Sequence, residues 1–117
     1  MKKIAIIGSG LSGLTLARGL KNYAKVSVFE KSRGVGGRLA TRRIGDFHFD
    51  HGAQFFTAKS DEFKDFVSLL LRKNIIERWD ARFAEYNGSK IMHKHKWKIE
   101  YPHYVGVPSM NAIGKFL

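Results

Sequence analysis

The spacing of apolar residues changes repeatedly along this chain, and each change marks an element. After two lysines, Ile4, Ala5, Ile6 and Ile7 form a short branched run, so residues 2–7 read as a buried strand. Leu11, Leu14, Ala17 and Leu20 then recur at helical spacing, predicting a helix over 11–22. A connection over 22–25 leads to a second strand, 26–29, whose poor alternation suits cover on both faces. Residues 31–38 are glycine-rich, with Val35 the one side chain expected to tuck in. Gly45-Asp46 between two short runs predicts a hairpin of 40–44 and 47–50, with Phe47 and Phe49 on one face.

A second helical stretch spans 60–73. Ser60 can cap it, Asp61 and Glu62 suit its first turn, and Arg72 and Lys73 suit its last. Phe63, Phe66, Val67, Leu70 and Leu71 form its apolar stripe, which is expected to pack and carries no chemistry. From Ile75 the period shifts towards two. Residues 77–80, 82–86 and 91–99 read as strands of an antiparallel meander, with Asn87-Gly88 as a hairpin turn. On the last strand His93, His95 and Trp97 share a face opposite Lys94, Lys96 and Lys98. Trp79 and Trp97 are read as sheet aromatics. Residues 101–109 form an aromatic-rich loop, after which Ser109 is expected to cap a helix over 110–117.

The glycines between the first strand and the first helix carry the candidate chemistry. Gly8-x-Gly10-x-x-Gly13 in a strand–turn–helix context is the dinucleotide fingerprint. Gly8 makes the tight turn, Gly10 lets backbone approach a pyrophosphate, and Gly13 lets helix and strand pack closely. Ser12 lies in the first helical turn, where free N–H groups and the helix dipole suit a diphosphate. Glu30 ends the second strand about 20 residues on, where a ribose hydroxyl is bound. An acid there disfavours a 2′-phosphate but does not separate NAD from FAD.

Ser32-Arg-Gly-Val-Gly-Gly-Arg38 adds a second glycine-rich turn directly after that carboxylate. It resembles the second motif of FAD-dependent amine oxidases. Further on, Asp50-His-Gly-Ala-Gln-Phe-Phe-Thr57 is similar to the flavin-proximal segment of the renalase-like branch of that superfamily. The resemblance runs through nearly the whole chain and implies an α/β, Rossmann-like FAD-binding βαβ start followed by a helix and a small antiparallel meander. It implies three segments: 1–57, the N-terminal part of an FAD-binding domain; 58–108, the start of a substrate domain; and 109–117, a helix returning toward the FAD domain. It implies FAD as cofactor, with Gly8, Gly10, Ser12 and Gly13 at the pyrophosphate, Arg38 taking the diphosphate charge, Glu30 at the ribose, Gln54 and Phe55 by the ring system, and Lys31 and Gly37 also among the cofactor-binding residues. Tyr101, His103 and Tyr104 are candidates to line a substrate cavity or to be ordinary loop aromatics.

The implied activity is hydride transfer from a reduced small molecule, an amine or a dihydronicotinamide-like compound, to flavin, with dioxygen as acceptor. The chain is shorter than the family pattern, so a partial product that self-associates or belongs to a longer protein is expected. No catalytic base is assigned; His51 is either a base or a satisfied structural histidine. His93 and His95 lack a third ligand at motif spacing, so no metal site is assigned.

Composition narrows this further. The chain has 117 residues, enough for one domain, and no cysteine. That excludes disulfides, thiolate metal sites and a cysteine-linked flavin within these residues. No apolar stretch is long enough to span a membrane, and a cytoplasmic protein is expected. The formal net charge is +11. The excess lies mainly in the second half, at Arg72, Lys73, Arg78, Arg82, Lys90, Lys94, Lys96, Lys98 and Lys115. These either form a solvated face or, gathered on one hairpin face, attract an anionic substrate or polyanion. Two further readings therefore stand beside the flavoenzyme: an NAD-binding module resting on Gly8 to Glu30 alone, and a basic, non-catalytic interaction protein, for which nucleic acid is the less favoured partner.

Overall fold

Strand β1 (Lys2–Ile7) ends in the first glycine turn, helix α1 (Leu11–Leu20) follows it, and strand β2 (Ala24–Phe29) returns parallel to β1. The computed structural model describes the whole chain, Met1–Leu117. The two strands pair from Lys2↔Ala24 to Ile7↔Phe29. Ile6, Leu14 and Ala24 are the buried apolar residues of this βαβ start. Its sheet has two strands, and Ile7 and Phe29 stay 83% and 57% exposed. The poor alternation in β2 predicts cover on both faces; here the sheet is left open on one.

A 3₁₀ turn (Gly37–Leu39) leads into the hairpin of β3 (Thr41–Ile44) and β4 (Phe47–Asp50), which turns at Gly45 as the sequence predicts. Helix α2 (Asp61–Arg72) starts at Ser60, whose hydroxyl accepts the Phe63 N–H at 3.2 Å. It stops at Asn74, which takes a left-handed φ of 55° while the Asn74 and Ile75 N–H groups close back on the Leu71 and Leu70 carbonyls.

The antiparallel part is connected differently from the expected meander. β5 (Ile76–Arg78) pairs with β8 (Tyr104–Gly106), inside the stretch read as a loop. β6 (Arg82–Asn87) and β7 (Lys90–Lys96) form a separate hairpin with an irregularity beside Glu85 and Tyr86. Three residues are too few for a periodicity signal, so β8 is invisible to pattern reading; it exists because Phe56 and β5 flank it. The Phe56 and Tyr104 backbones exchange hydrogen bonds of 2.8 and 3.0 Å.

The last helix, α3 (Asn111–Phe116), is not capped by Ser109, whose hydroxyl donates instead to Asn111 Oδ1. Its first N–H groups are met from the β3–β4 hairpin. The Met110 N–H donates to Asp50 Oδ1 at 3.1 Å and the Asn111 N–H to Thr41 Oγ1 at 3.2 Å, and the Thr41 hydroxyl donates to Asp50. The main core lies where these parts meet: Leu39, Val67, Leu70, Ile76, Met110 and Ile113. Burial of each such side chain contributes about 1.5–3 kcal/mol. The molecule measures 59 × 35 × 25 Å, and its radius of gyration of 16.9 Å exceeds the roughly 13 Å of a compact chain of this size. No helix is long and apolar enough to cross a membrane.

Candidate functional site

The site begins where β1 and β2 end side by side. The Gly8 N–H donates to the Phe29 carbonyl at 2.7 Å, which brings the first glycine turn against the end of β2. Glu30 follows Phe29, so its carboxylate meets Ser9 inside that turn. Oε2 accepts both the Ser9 N–H and the Ser9 hydroxyl at 2.7 Å. Oε1 accepts the Ser32 N–H at 2.9 Å and the Ser32 hydroxyl at 3.0 Å. The Ser32 N–H first, then the Ser9 N–H and the two hydroxyls, hold the carboxyl down from 4.5 to about 2. Glu30 is therefore an anion at any physiological pH.

The Ser32 hydroxyl has one proton and two acceptors in reach, Glu30 Oε1 and the Gly34 carbonyl at 2.9 Å. It can turn to Gly34 and leave Oε1 open to another donor. A ribose hydroxyl is such a donor.

The second glycine turn lies on the first. The Gly36 N–H donates to the Ser9 carbonyl at 2.8 Å, and Gly10 and Gly36 form a parallel bridge. Gly37 has a φ of 57°, and a Cβ there would stand 3.2 Å from the Gly10 Cα, so both conformation and space favour glycine. Arg38 follows, exposed, while the molecule's one ion pair is Arg78–Asp80. The Arg38 guanidinium is thus free to meet an anion. The Arg38 carbonyl accepts the Ala53 N–H at 2.8 Å, which brings the His51–Phe56 stretch onto the same turn.

At Gly13 a Cβ would collide with the Gly8 carbonyl oxygen, so helix and strand approach as closely as the sequence implies. Gly10 differs. A Cβ there meets nothing within 4 Å, although the residue sits at the N-terminus of α1. Gly10 gives no side-chain cap, and the first helical hydrogen bond is Leu14 N–H to the Gly10 carbonyl at 3.0 Å. The amides of Leu11, Ser12 and Gly13 precede that bond and have no partner in the chain. Open space at Gly10, unpaired amides at a ten-residue helix and a free guanidinium fit a diphosphate.

The remaining candidates are more dispersed. Ser12 lines a groove between α1 and α2 with Leu16, Phe63 and Phe66, so its hydroxyl borders that groove while its amide belongs to the helix end. Lys31 and Gln54 are exposed and make no side-chain hydrogen bond. Phe55 packs into an aromatic cluster the sequence pattern did not assemble, 5.2 Å from Trp97, 5.3 Å from His103 and 5.7 Å from Trp79 between ring centres. His103 stacks flat on Trp97 at 3.8 Å. Tyr101 and Tyr104 instead line a groove of about 730 Å³ beside α2, so the three proposed cavity aromatics divide between two places.

Sequence reasoning missed Ser9 and Ser32 as partners of Glu30. The signal was present: a serine in the turn and another two residues after the acid. No group of three His, Cys, Asp or Glu side chains gathers for a metal.

Residues 6–70, more than half of the chain, match the family model described as NAD(P)-binding Rossmann-like domain. A 1-hydroxycarotenoid 3,4-desaturase of a Flavobacterium species is 48% identical over 58 residues, covering 49% of this chain and 12% of that protein. A bovine prenylcysteine oxidase 1-like protein is 33% identical over 102 residues, covering 83% of this chain and 20% of that protein. Among solved structures, wild-type putrescine oxidase bound to putrescine superposes with a TM-score of 0.54 at 25% identity, covering 83% of this chain and 21% of that one. The chain thus spans about a fifth or less of the length of these relatives.

Proposed function

The chain belongs to the NAD(P)-binding Rossmann-like domain family, and from that premise we propose that it binds FAD as the dinucleotide-binding part of a flavin-dependent oxidoreductase. The observation that carries this reading is the pairing of the two glycine turns. Glu30 is anchored on the first, the unpaired α1 amides open beside it, and Arg38 leaves the second. The names of the relatives, a desaturase, a prenylcysteine oxidase-like protein and a putrescine oxidase, support redox chemistry on a small organic substrate.

In this reading the amides of Leu11, Ser12 and Gly13 bind the diphosphate, and Arg38 neutralises its charge. Glu30 holds the adenosine ribose after the Ser32 hydroxyl turns to Gly34. The ionised Glu30 repels a 2′-phosphate and so selects against phosphorylated dinucleotides. When bound, flavin would supply the hydride acceptor for a reduced small molecule, an amine or a dihydronicotinamide-like compound, with dioxygen as the final electron acceptor. Gln54 offers an amide to the ring system, and Phe55, steadied by Trp79, Trp97 and His103, lies beside it.

The description of the matching family favours one second reading, an NAD-binding module. Thermal-shift titration of the purified chain separates them. Stabilisation by FAD and not by NAD is expected. Stabilisation by NAD alone overturns the flavin reading.

A further inference from the structure

The β6–β7 hairpin carries a charge arrangement that the dinucleotide site does not use. Arg82 stands directly across from Lys96, and Ala84 directly across from Lys94. Directly opposed residues share a face of an antiparallel pair, with Cβ atoms about 4.5–5.5 Å apart. Lys94 and Lys96 are two residues apart, about 7 Å along the strand, and also share that face. Three cations therefore surround a small residue. The lining of a shallow cleft of about 360 Å³ includes all four of these residues, Arg82, Ala84, Lys94 and Lys96.

Like charges set directly opposite each other destabilise a hairpin, and on this face Arg82, Lys94 and Lys96 are in no ion pair. The remaining pair on it is Tyr86 and Ile91. Glu85 faces the other way, across from His93. Asp80 borders an adjoining cleft with Lys96 but is held by Arg78 at 3.3 Å. On the opposite face Phe83 packs against His95 at 4.0 Å and Trp97 at 5.1 Å, which fixes the hairpin and keeps the cations on their side.

We propose that this face binds a compact oligophosphate, a di- or triphosphate group, with Arg82 gripping one phosphate through its planar fork and Lys94 and Lys96 meeting the next. A guanidinium matches phosphate oxygens in pairs, while lysines act as point charges. The spread of the three cations over several ångströms suits adjoining phosphates better than a single carboxylate. The site lies on the hairpin and is independent of the FAD reading.

The test is calorimetric titration of inorganic tripolyphosphate at low salt into the full chain carrying Gly10→Ala, which closes the dinucleotide diphosphate position, with every further variant made in that background. Arg82→Gln and Lys96→Gln should each weaken binding on the order of tenfold. Lys2→Gln and Lys21→Gln, on the βαβ start, should leave it unchanged. Without the anion, Arg82→Gln should melt no lower than the parent chain, because it removes a repulsion; with the anion, the parent chain should gain more in melting temperature than the variant. Equal weakening by Lys2→Gln and Arg82→Gln shows a diffuse cation cloud and overturns the proposal, as does tripolyphosphate binding that neither hairpin variant changes.

Discussion

The Glu30 carboxylate receives two hydrogen bonds from Ser9, one from its backbone N–H and one from its hydroxyl, both 2.7 Å long. The acid that follows β2 is thereby tied to the first glycine turn. One residue serves the fold and the proposed ribose contact together. Glu30→Gln, which swaps an acceptor for a donor, should weaken FAD binding about tenfold or more in fluorescence titration. It should also lower the melting temperature without FAD.

The pH dependence follows from the same contacts. A carboxyl lowered from 4.5 to about 2 contributes stability that is present above pH 4.5 and is lost as pH falls toward 2. In the parent chain a part of the acid-induced fall in melting temperature between those limits should vanish in Glu30→Gln. FAD affinity should show no titration from Glu30 between pH 5 and 8.

Gly10 and Gly13 should separate fold from binding. Gly13→Ala drives a methyl into the Gly8 carbonyl and should cost about 1–3 kcal/mol of stability in chemical denaturation. Gly10 has an ordinary φ of −71° and open space beside it, so Gly10→Ala should fold normally while its methyl fills the diphosphate position and blocks FAD.

Arg38→Gln should leave the melting temperature unchanged, because the guanidinium has no ion-pair partner in the chain. FAD affinity should fall on the order of tenfold, and more at low salt than at high salt.

Asp50 accepts from Thr41 and from Met110, sixty residues on. Asp50→Ala leaves the start of α3 without its acceptor and should destabilise the chain by about 1–3 kcal/mol. Met110→Ala, at a fully buried position, should cost about 2–5 kcal/mol. Urea titrations measure both.

The parts of this molecule legible in the sequence are those governed by neighbours along the chain. Ile4 to Ile7, the Leu11–Leu20 stripe, the Gly45 turn and the Ser60 cap each depend on residues within a few positions, and each is where its pattern put it. Glu30 and the glycines were legible because a fixed strand–turn–helix frame sets their spacing. What was not legible depends on distant partners. Tyr104–Gly106 is a strand because Phe56 and Ile76–Arg78 flank it. The first α3 N–H groups are met by the Asp50 and Thr41 side chains, sixty and seventy residues back, and not by the Ser109 hydroxyl. The aromatic cluster around Phe55 was not legible because Trp79, Trp97 and His103 converge on it from different segments.

The most direct measurement is an amide NMR titration of the chain with FAD, alongside NAD. Saturable shifts with FAD are expected at Gly8 to Gly13, Glu30, Ser32 and Gly36 to Arg38, together with their loss in Gly10→Ala. FAD that leaves those amides unmoved, or that binds Gly10→Ala as tightly as the parent chain, contradicts the flavin reading.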